Sequence, residues 1–317
     1  MKQIIFLLFP GIELLDFSGP LQTFVEAKNH GCDLTVEYCS WQAEISASQE
    51  VFINRLRHFS KLNPKKDDII IIPGIEHQQY SDNALADVPS AVFDWLKSAY
   101  QNNVQLCSIC TSSFVLAHTG LLEGKRCTTH WLRTKELQKT YPKIHVETNC
   151  LFVHDKGIYT SAGIASGIDL SLALVEKNWG PNVASKVARD LVVYIRRDGG
   201  HHQKSIYLDY RNHINPAVHK LQDWLISHPG ENDTIEALAE RFGLSQRNLT
   251  RLFKKATGIT IKQYTTLIVL EHSKNLLQYP DNSVESIAIQ CGFHDAKQLR
   301  RLWKKHFGTT PSKFRAK

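Results

Sequence analysis

The sequence predicts an α/β domain built on a parallel sheet, followed by an all-α domain that contains a duplicated unit. Three observations carry that expectation. Residues 1–195 alternate short apolar runs with longer amphipathic stretches, the pattern of a layered α/β domain. From Pro216 onward no stretch reads as a strand. Within that helical region a segment occurs twice. A length of 317 residues allows two or three domains at roughly 100–200 residues each. A content of 42% hydrophobic and 22% charged residues excludes a disordered or fibrous chain. The expected boundaries are an α/β domain over 1–197, a linker over 198–213 and a helical domain over 214–317.

Strands are expected at 4–9, 35–38, 69–72, 104–109 and 158–161. Ile69-Ile70-Ile71-Ile72 is apolar at every position, which suits a strand covered on both faces of a parallel sheet. Pro73-Gly74 ends it sharply. Helical spacing occurs at 19–28, 89–100, 112–119, 129–140, 166–176 and 184–194. The stretch Arg196-Arg197-Asp198-Gly199-Gly200-His201-His202 breaks the pattern and opens the linker. Adjacent histidine side chains rarely converge on one ion, so neither a metal nor another cofactor is expected there.

Seven scattered cysteines, an odd number, argue against a secreted disulfide framework and for a reducing cytosol. The apolar start is cut by Pro10-Gly11 and followed by Glu13 and Asp16, with no small-residue cleavage site, so it does not read as a signal peptide. No stretch approaches the ~20 apolar residues of a membrane span. A cytoplasmic protein without a membrane segment is expected.

The net charge of +7 lies wholly in the last third. Residues 213–317 hold 16 Lys and Arg against 9 Asp and Glu, while the first 212 hold 22 of each. Such asymmetry points to a polyanion, nucleic acid first. On charge alone, a merely soluble basic face is an equal alternative.

The repeat weighs against that alternative. Thr234-Ile235-Glu236-Ala237-Leu238-Ala239-Glu240-Arg241-Phe242-Gly243 matches Ser283-Val284-Glu285-Ser286-Ile287-Ala288-Ile289-Gln290-Cys291-Gly292, an offset of 49. One inserted residue later, at an offset of 50, Leu249-Thr250-Arg251-Leu252-Phe253-Lys254-Lys255 matches Leu299-Arg300-Arg301-Leu302-Trp303-Lys304-Lys305. Gly258 then matches Gly308, and Tyr264 matches Phe314. Each copy reads as helix, tight turn, helix. Thr234 and Ser283 stand where N-caps belong, and Gly243 and Gly292 supply turns at positive φ. The second helix of each copy has an apolar stripe and an opposite face of Arg247, Thr250, Arg251 and Lys254, or of Lys297, Arg300, Arg301 and Lys304. That is a helix-turn-helix, whose second helix enters the major groove. Residues 261–278 would form one connecting helix of roughly 27 Å, long enough to set two recognition helices about one DNA turn, ~34 Å, apart. The alternative is a repeated hairpin that binds protein.

Residues 215–315 resemble the AraC family of transcription regulators. Cys291-Gly292-Phe293 and Phe307-Gly308-Thr309-Thr310-Pro311-Ser312-Lys313-Phe314-Arg315 carry the resemblance. It implies that Arg247, Thr250 and Arg251 face bases in the first unit, and Lys297, Arg300 and Arg301 in the second. Many relatives have Ser, Tyr and Phe where this chain has Lys297-Gln298-Leu299, so the preferred DNA sequence does not carry over.

In the first half, Cys107-Ser108-Ile109-Cys110-Thr111-Ser112-Ser113 follows an apolar run and precedes a helix. Small residues flank Cys110, as a strained strand-to-helix elbow requires. A thiol at a helix N-terminus is expected to favour the thiolate, and nearby N–H groups would bind an anion or a carbonyl oxygen. The alternative is a small core cysteine. Cys107-x-x-Cys110 also matches a redox motif, but an elbow separates the two Cα atoms by up to ~10 Å, beyond the ~7 Å a disulfide tolerates. Asp16, Gly74 and Ser161-Ala162-Gly163 follow other strands, whose ends gather at one sheet edge. Thr128-Thr129-His130-Trp131 supplies a histidine, and Glu13 and Asp16 are equally readable as solvated carboxylates.

Residues 3–200 resemble the class I glutamine amidotransferase-like superfamily, in the subgroup with isonitrile hydratases and PfpI-type proteins. The motifs are Phe9-Pro10-Gly11 through Asp16 to Gly19-Pro20, Ile72-Pro73-Gly74, Ile109-Cys110-Thr111, Gly120-Leu121-Leu122-Glu123-Gly124-Lys125-Arg126 to His130-Trp131, and Thr160-Ser161-Ala162-Gly163 through Ile168-Asp169. The resemblance implies a flavodoxin-like parallel-sheet sandwich, with Cys110 at the nucleophile position, Asp16 beside it and Gly74 and Thr111 as backbone donors. The implied ligand site comprises Asp16, Gly74, Ile75, Cys110, Thr111, His130, Ala162 and Gly163. The resemblance also implies Cys110, Asp16 and His130 as a catalytic set in vestigial form, with His130 a neighbour of the other two. Two departures stand out: Ser112 where relatives have Gly, which would crowd the pocket, and Gly199-Gly200-His201 where they read Gly-Gly-Gln.

Together the halves resemble GlxA-type regulators: an amidotransferase-like sensor fused to an AraC-type DNA-binding domain. The expected function is a transcription regulator, an activator, that binds double-stranded promoter DNA under control of a small-molecule effector such as a nitrogenous metabolite. A homodimer and contact with RNA polymerase are expected; enzymatic turnover is not. The rival is a cysteine-dependent hydrolase or hydratase using Cys110, with the helical domain accessory. A third reading is a redox sensor through Cys110 alone.

Overall fold

The computed structural model describes residues 1–76, 85–163, 165–193, 197–199, 206–277, 279 and 281–315. The chain divides into two units, Met1–Gln203 around one apolar core and Lys204–Lys317 around two. His201, His202 and Tyr194, the last residue of an expected helix, lie outside the described residues.

The first unit contains β1 (Lys2–Leu7), β2 (Leu34–Ser40), β3 (Glu44–Ser46), β4 (Phe52–Asn54), β5 (Arg57–His58), β6 (Ile69–Ile72), β7 (Gln105–Ile109), β8 (Arg126–Cys127), β9 (His145–Val146), β10 (Phe152–Asp155) and β11 (Ile158–Ser161). Its helices are α1 (Leu14–Asn29), α2 (Ser90–Gln101), α3 (Ser113–His118), α4 (Thr134–Thr140), α5 (Ala165–Trp179) and α6 (Pro181–Asp190). Seven strands form one sheet in the order β10-β11-β7-β6-β1-β2-β5. All its pairs are parallel except β10–β11. Ile4, Ile5 and Phe6 lie opposite Ile69, Ile70 and Ile71 and are fully buried, which is why β1 and β6 are apolar at successive positions. Helices α1, α5 and α6 pack on one another as a layer, while α2 and α3 pack against β7. The chain runs from β1 out to β2 and returns on the other side of β1 as β6. At such a reversal ligands bind outside the carboxyl ends of the strands, and there Asp16, Gly74, Cys110 and Gly163 follow β1, β6, β7 and β11.

Three local expectations are corrected. The first helix begins at Leu14, not 19, and contains Pro20. Gly19 serves packing instead of a helix start: a Cβ there would lie 2.8 Å from Ile168 Cγ1 of α5. The first strand begins at Lys2, which pairs with Leu34, and ends at Leu7. The helix expected over 129–140 covers only Thr134–Thr140. The two threonines before it are held as loop by their hydroxyls: Thr128 Oγ1 donates to Glu147 O at 2.8 Å, and Thr129 Oγ1 to Cys110 O at 2.9 Å.

The second unit is all helix among the described residues: α7 (Ile206–Asp209), α8 (Pro216–Ser227), α9 (Ile235–Arg241), α10 (Gln246–Thr257), α11 (Ile261–Leu277), α12 (Val284–Gln290), α13 (Ala296–Phe307) and α14 (Pro311–Arg315). Helix α7 falls inside the expected linker, and Ile206 and Tyr210 pack on the first helical core. Helix α11 serves both cores, giving Ile261, Tyr264 and Ile268 to one, and Val269, Leu270 and Leu277 to the other. Arg315 of α14 caps the end of α11, its Nε donating to Leu277 O at 3.2 Å.

Candidate functional site

Cys110 opens a short 3-10 turn (Cys110–Ser112) between β7 and α3. Its φ is +58°, the left-handed region that a non-glycine residue seldom adopts, so the backbone is strained where an elbow requires it. Four hydroxyls hold the elbow, and one of them, Ser113 Oγ, donates to Cys110 O at 3.2 Å. Ser112 Oγ accepts from Ile109 N at 2.9 Å and lies 2.6 Å from Ile72 O, which joins the tops of β6 and β7. Thr111 Oγ1 donates to Ile75 O at 2.6 Å and accepts from Ile75 N at 2.9 Å. Thr129 Oγ1 holds the Cys110 carbonyl. Ser112, expected to crowd the pocket, is instead fully buried with its hydroxyl on the strand ends. Ile75 spends both backbone groups on Thr111.

The thiol is enclosed from three sides. Asp16, in the first turn of α1 and fully buried, places its carboxyl in hydrogen-bonding contact with the sulfur. A Cβ on Gly74 would collide with Asp16 Oδ2 and stand 2.8 Å from Cys110 Cβ. A Cβ on Gly163, which has φ +115°, would stand 2.6 Å from Cys110 Sγ. Only glycine fits at either place. Burial, and then the Asp16 carboxylate, push the Cys110 thiol well above its ordinary range, against the Thr111 N–H and hydroxyl. The expected thiolate is therefore corrected: at a short turn, the pull of a helix terminus loses to desolvation and a neighbouring carboxylate. His130 is half-buried, its pKa lowered by burial and by Arg133, and it is not among the groups that set the thiol. It follows Thr129, the site residue that helical spacing disguised. Glu13, Asp16's companion, accepts from Ser48 Oγ at 2.9 Å and Gln49 Nε2 at 2.7 Å, a loop anchor. Cys107 lies within β7, and both it and Cys110 are free thiols.

The two helix-turn-helix copies agree in detail. Thr234 and Ser283 cap α9 and α12 by accepting from Ala237 N and Ser286 N. Ser245 and Asp295 cap α10 and α13. Both recognition helices end on a left-handed glycine, Gly258 at φ +78° and Gly308 at φ +69°. Phe253 and Tyr264 meet with ring centroids 5.5 Å apart at 61°, and Trp303 and Phe314 at 5.5 Å and 70°. Arg247, Thr250, Arg251, Lys297, Arg300 and Arg301 are all exposed. Three of them are partly engaged. Thr250 Oγ1 donates to Gln246 O at 2.8 Å, Arg251 Nη2 donates to Asn248 Oδ1 at 2.9 Å, and Arg300 Nη2 pairs with Glu285 Oε1 of α12 at 2.6 Å. The arginine lowers the Glu285 carboxyl further below its ordinary value, after the residue's own backbone N–H.

Among the described residues, no helix is long and apolar enough to cross a membrane, and no cluster of His, Cys, Asp and Glu is arranged to hold a metal ion.

Comparison with known proteins joins these two sites. The DJ-1/PfpI family model matches residues 2–177, and a helix-turn-helix domain model matches residues 238–317. The HTH-type transcriptional regulator CdhR of Pseudomonas aeruginosa is 29% identical over 317 residues, spanning 98% of this chain and 90% of that protein. The crystal structure of an AraC family transcriptional regulator from Pseudomonas putida has a TM-score of 0.51 at 17% identity, covering 60% of this chain and all of that one. That of Drosophila melanogaster DJ-1beta has a TM-score of 0.52 at 22% identity, over 61% and 98%. These two likenesses show the fold of the first unit. The chain belongs to the DJ-1/PfpI family and carries an AraC-type helix-turn-helix region after that domain, which makes it a DNA-binding transcriptional regulator.

Proposed function

We propose that this regulator is controlled by a small molecule bound at the Cys110 elbow, and that the bound form activates transcription. One observation carries the reading: the same chain joins two exposed basic recognition helices to a buried cysteine–carboxylate pair built at the ligand edge of a parallel sheet. DNA binding alone has no need of Cys110, Asp16, Gly74 and Gly163 in that arrangement. Gly74, Thr111, Ala162, Gly163 and His130 would line the effector, a small nitrogenous metabolite. Arg247, Arg251, Lys297 and Arg301 would read promoter bases, Arg and Lys suiting guanine edges. The protein would act as a homodimer and contact RNA polymerase.

The test is fluorescence anisotropy of the full-length protein on DNA selected from fragmented genome, with and without each of a panel of nitrogenous metabolites. An effector is expected to shift DNA affinity by roughly 5–150-fold and to lose that power in Cys110→Ser and Asp16→Asn. A metabolite that binds the Cys110 site by calorimetry yet leaves DNA affinity unchanged would overturn the reading.

The strained elbow favours one rival, cysteine-dependent hydrolysis or hydration. The pH dependence of Cys110 alkylation decides it. With its thiol raised, the rate should still climb above pH ~8.5, the value of a free thiol; a plateau below that value would favour the enzyme. By linkage the raised thiol makes the folded state hold its proton longer. Its stabilising effect is complete below the unfolded value and is lost as pH rises toward the folded one. Cys110→Ala should remove that alkaline loss, measurable by thermal melting between pH 7 and pH 10, a range spanning the ~8.5 value of the free thiol.

A further inference from the structure

Two routes of contact lead from Cys110, and both end on the first residues of the segment that joins the two units. One route runs through α5. Gly163 stands against the Cys110 sulfur with no room for a methyl group. Its N–H donates to Ser166 Oγ at 2.7 Å and its carbonyl accepts from Ser166 N at 2.9 Å, which fastens it to the first turn of α5. In that turn Gly167 is pressed on Ile109, the residue before Cys110; a Cβ there would stand 3.0 Å from Ile109 Cγ2. Asp169, three residues beyond Ser166 and so on the same helical face, is buried and receives Arg197 Nη2 at 2.5 Å and Nε at 3.1 Å.

The other route runs through the β10–β11 hairpin. Ala162, beside Gly163, donates to Leu151 O at 2.7 Å. Leu151 and Phe152 in turn donate to Gly199 O, at 2.9 and 3.5 Å. Gly199 lies so close that a Cβ would stand 2.5 Å from Phe152 O. Residues 197–199 are therefore clamped to the α/β unit at two points, and each point is two or three contacts from the sulfur.

We infer that Asp169 is a positioning residue that couples the Cys110 site to the connector: it holds Arg197, and with it residues 197–199, in the arrangement that the close Cys110–Gly163 contact sets. An occupant that adds volume on the Gly163 side of the sulfur must displace Gly163, which leaves no room there even for a methyl group. That displacement turns the start of α5 and shifts Ala162, so both clamps loosen together. The DNA-binding unit is joined to the first through these residues, so their release is the step that carries occupancy onward. The inference rests on the proposed effector site and names how that site is heard.

The test is amide hydrogen exchange at Leu151 and Phe152, whose N–H groups report the Gly199 clamp directly, in the full-length protein. Cys110→Met serves as the occupant, with Cys110→Ser as the volume-neutral control. S-methylthiolation of the wild type provides a second route should the methionine fail to fold. Asp169→Asn releases Arg197, and Arg197→Lys keeps the charge while losing the fork. Cys110→Met and Asp169→Asn are each expected to speed exchange at both amides by roughly 5-fold or more, the double variant no further than either single, with Cys110→Ser unchanged. Wild-type exchange in Cys110→Met, or effects of the two substitutions that multiply, would overturn the coupling. DNA affinity of the same variants separates the two readings. Faster exchange with unaltered DNA binding leaves the clamp standing and overturns effector control; altered DNA binding with unaltered exchange does the reverse.

Discussion

The two helix-turn-helix units share a core plan and differ on their polar surfaces and at their turns. Helices of the same length, caps at the same positions and aromatic pairs at the same 5.5 Å separation recur in both. The recognition helices themselves carry no acidic residue, with four Lys and Arg on α10 and five on α13. Yet the turn glycines differ. Gly243, at φ +63°, has open space around it, whereas Gly292, at φ +72°, is wedged against the backbone of Gly230. Asn232 Nδ2 donates to Gly292 O at 2.8 Å across the same contact. The turn of the second unit is thus also the seam that joins it to the α8–α9 loop of the first. The two copies share what packs a unit, and the second also bears a contact that fixes the pair.

That difference predicts the largest effect. Gly243→Ala must bear only the left-handed backbone, ~1–2 kcal/mol. Gly292→Ala bears the same strain plus a clash with backbone that cannot rotate away, a further ~1–3 kcal/mol by analogy with overpacked sites. Denaturant unfolding of the full chain should therefore rank Gly292→Ala clearly below Gly243→Ala. Equal losses would mean that the seam does not persist in solution.

Base reading is the next comparison. Arg251→Ala and Arg301→Ala should each weaken binding to the selected DNA by ~1–3 kcal/mol if the guanidinium groups bond bases. On random DNA the losses should be smaller; equal losses there would show phosphate contacts in their place. Raised salt should weaken binding steeply by counterion release.

Much of this was legible in the sequence because packing leaves periodic marks. The alternation of strands and helices, the caps at Thr234 and Ser283, and the stripes ending in Phe253 and Trp303 are all set by neighbours a few residues away. The elbow at Cys110 was legible through its small flanks. What escaped depended on distant partners. Thr129 reads as the start of a helix, and only Cys110 O, brought near by the sheet, holds it as loop. Gly19 reads as a helix boundary until Ile168 of α5 lies against it. The thiol's protonation depends on burial and on a carboxylate 94 positions earlier in the chain. Residues 197–199 read as the edge of a linker, and only the Asp169 and Leu151 contacts join them to the first unit.

The smallest predicted effect is the most specific to the divergence of the two copies. Arg300 is paired with Glu285, while at the equivalent positions Thr250 turns its hydroxyl back to its own helix and leaves Glu236 without an arginine opposite. Both partners of the Arg300 pair are well exposed, so its contribution to folding is small. Its consequence is for DNA. A carboxylate held beside the guanidinium repels phosphate and occupies one Nη, so Arg300 meets DNA with part of its charge offset. Glu285→Gln should raise affinity for random DNA and steepen the salt dependence by up to ~0.9 in the log–log slope, the increment for one further phosphate. Glu236→Gln should do neither. Because Glu285 is held below its ordinary pKa, the pair is complete at neutral pH and fails only as pH falls through that lowered value. The wild type should therefore approach the Glu285→Gln slope only in acid. If both glutamine variants leave the slope unchanged, Arg300 reaches DNA with Glu285 still attached, and the pair then orients the guanidinium for a base instead of restraining it. A change of base preference at a single position in Glu285→Gln would separate that outcome from indifference.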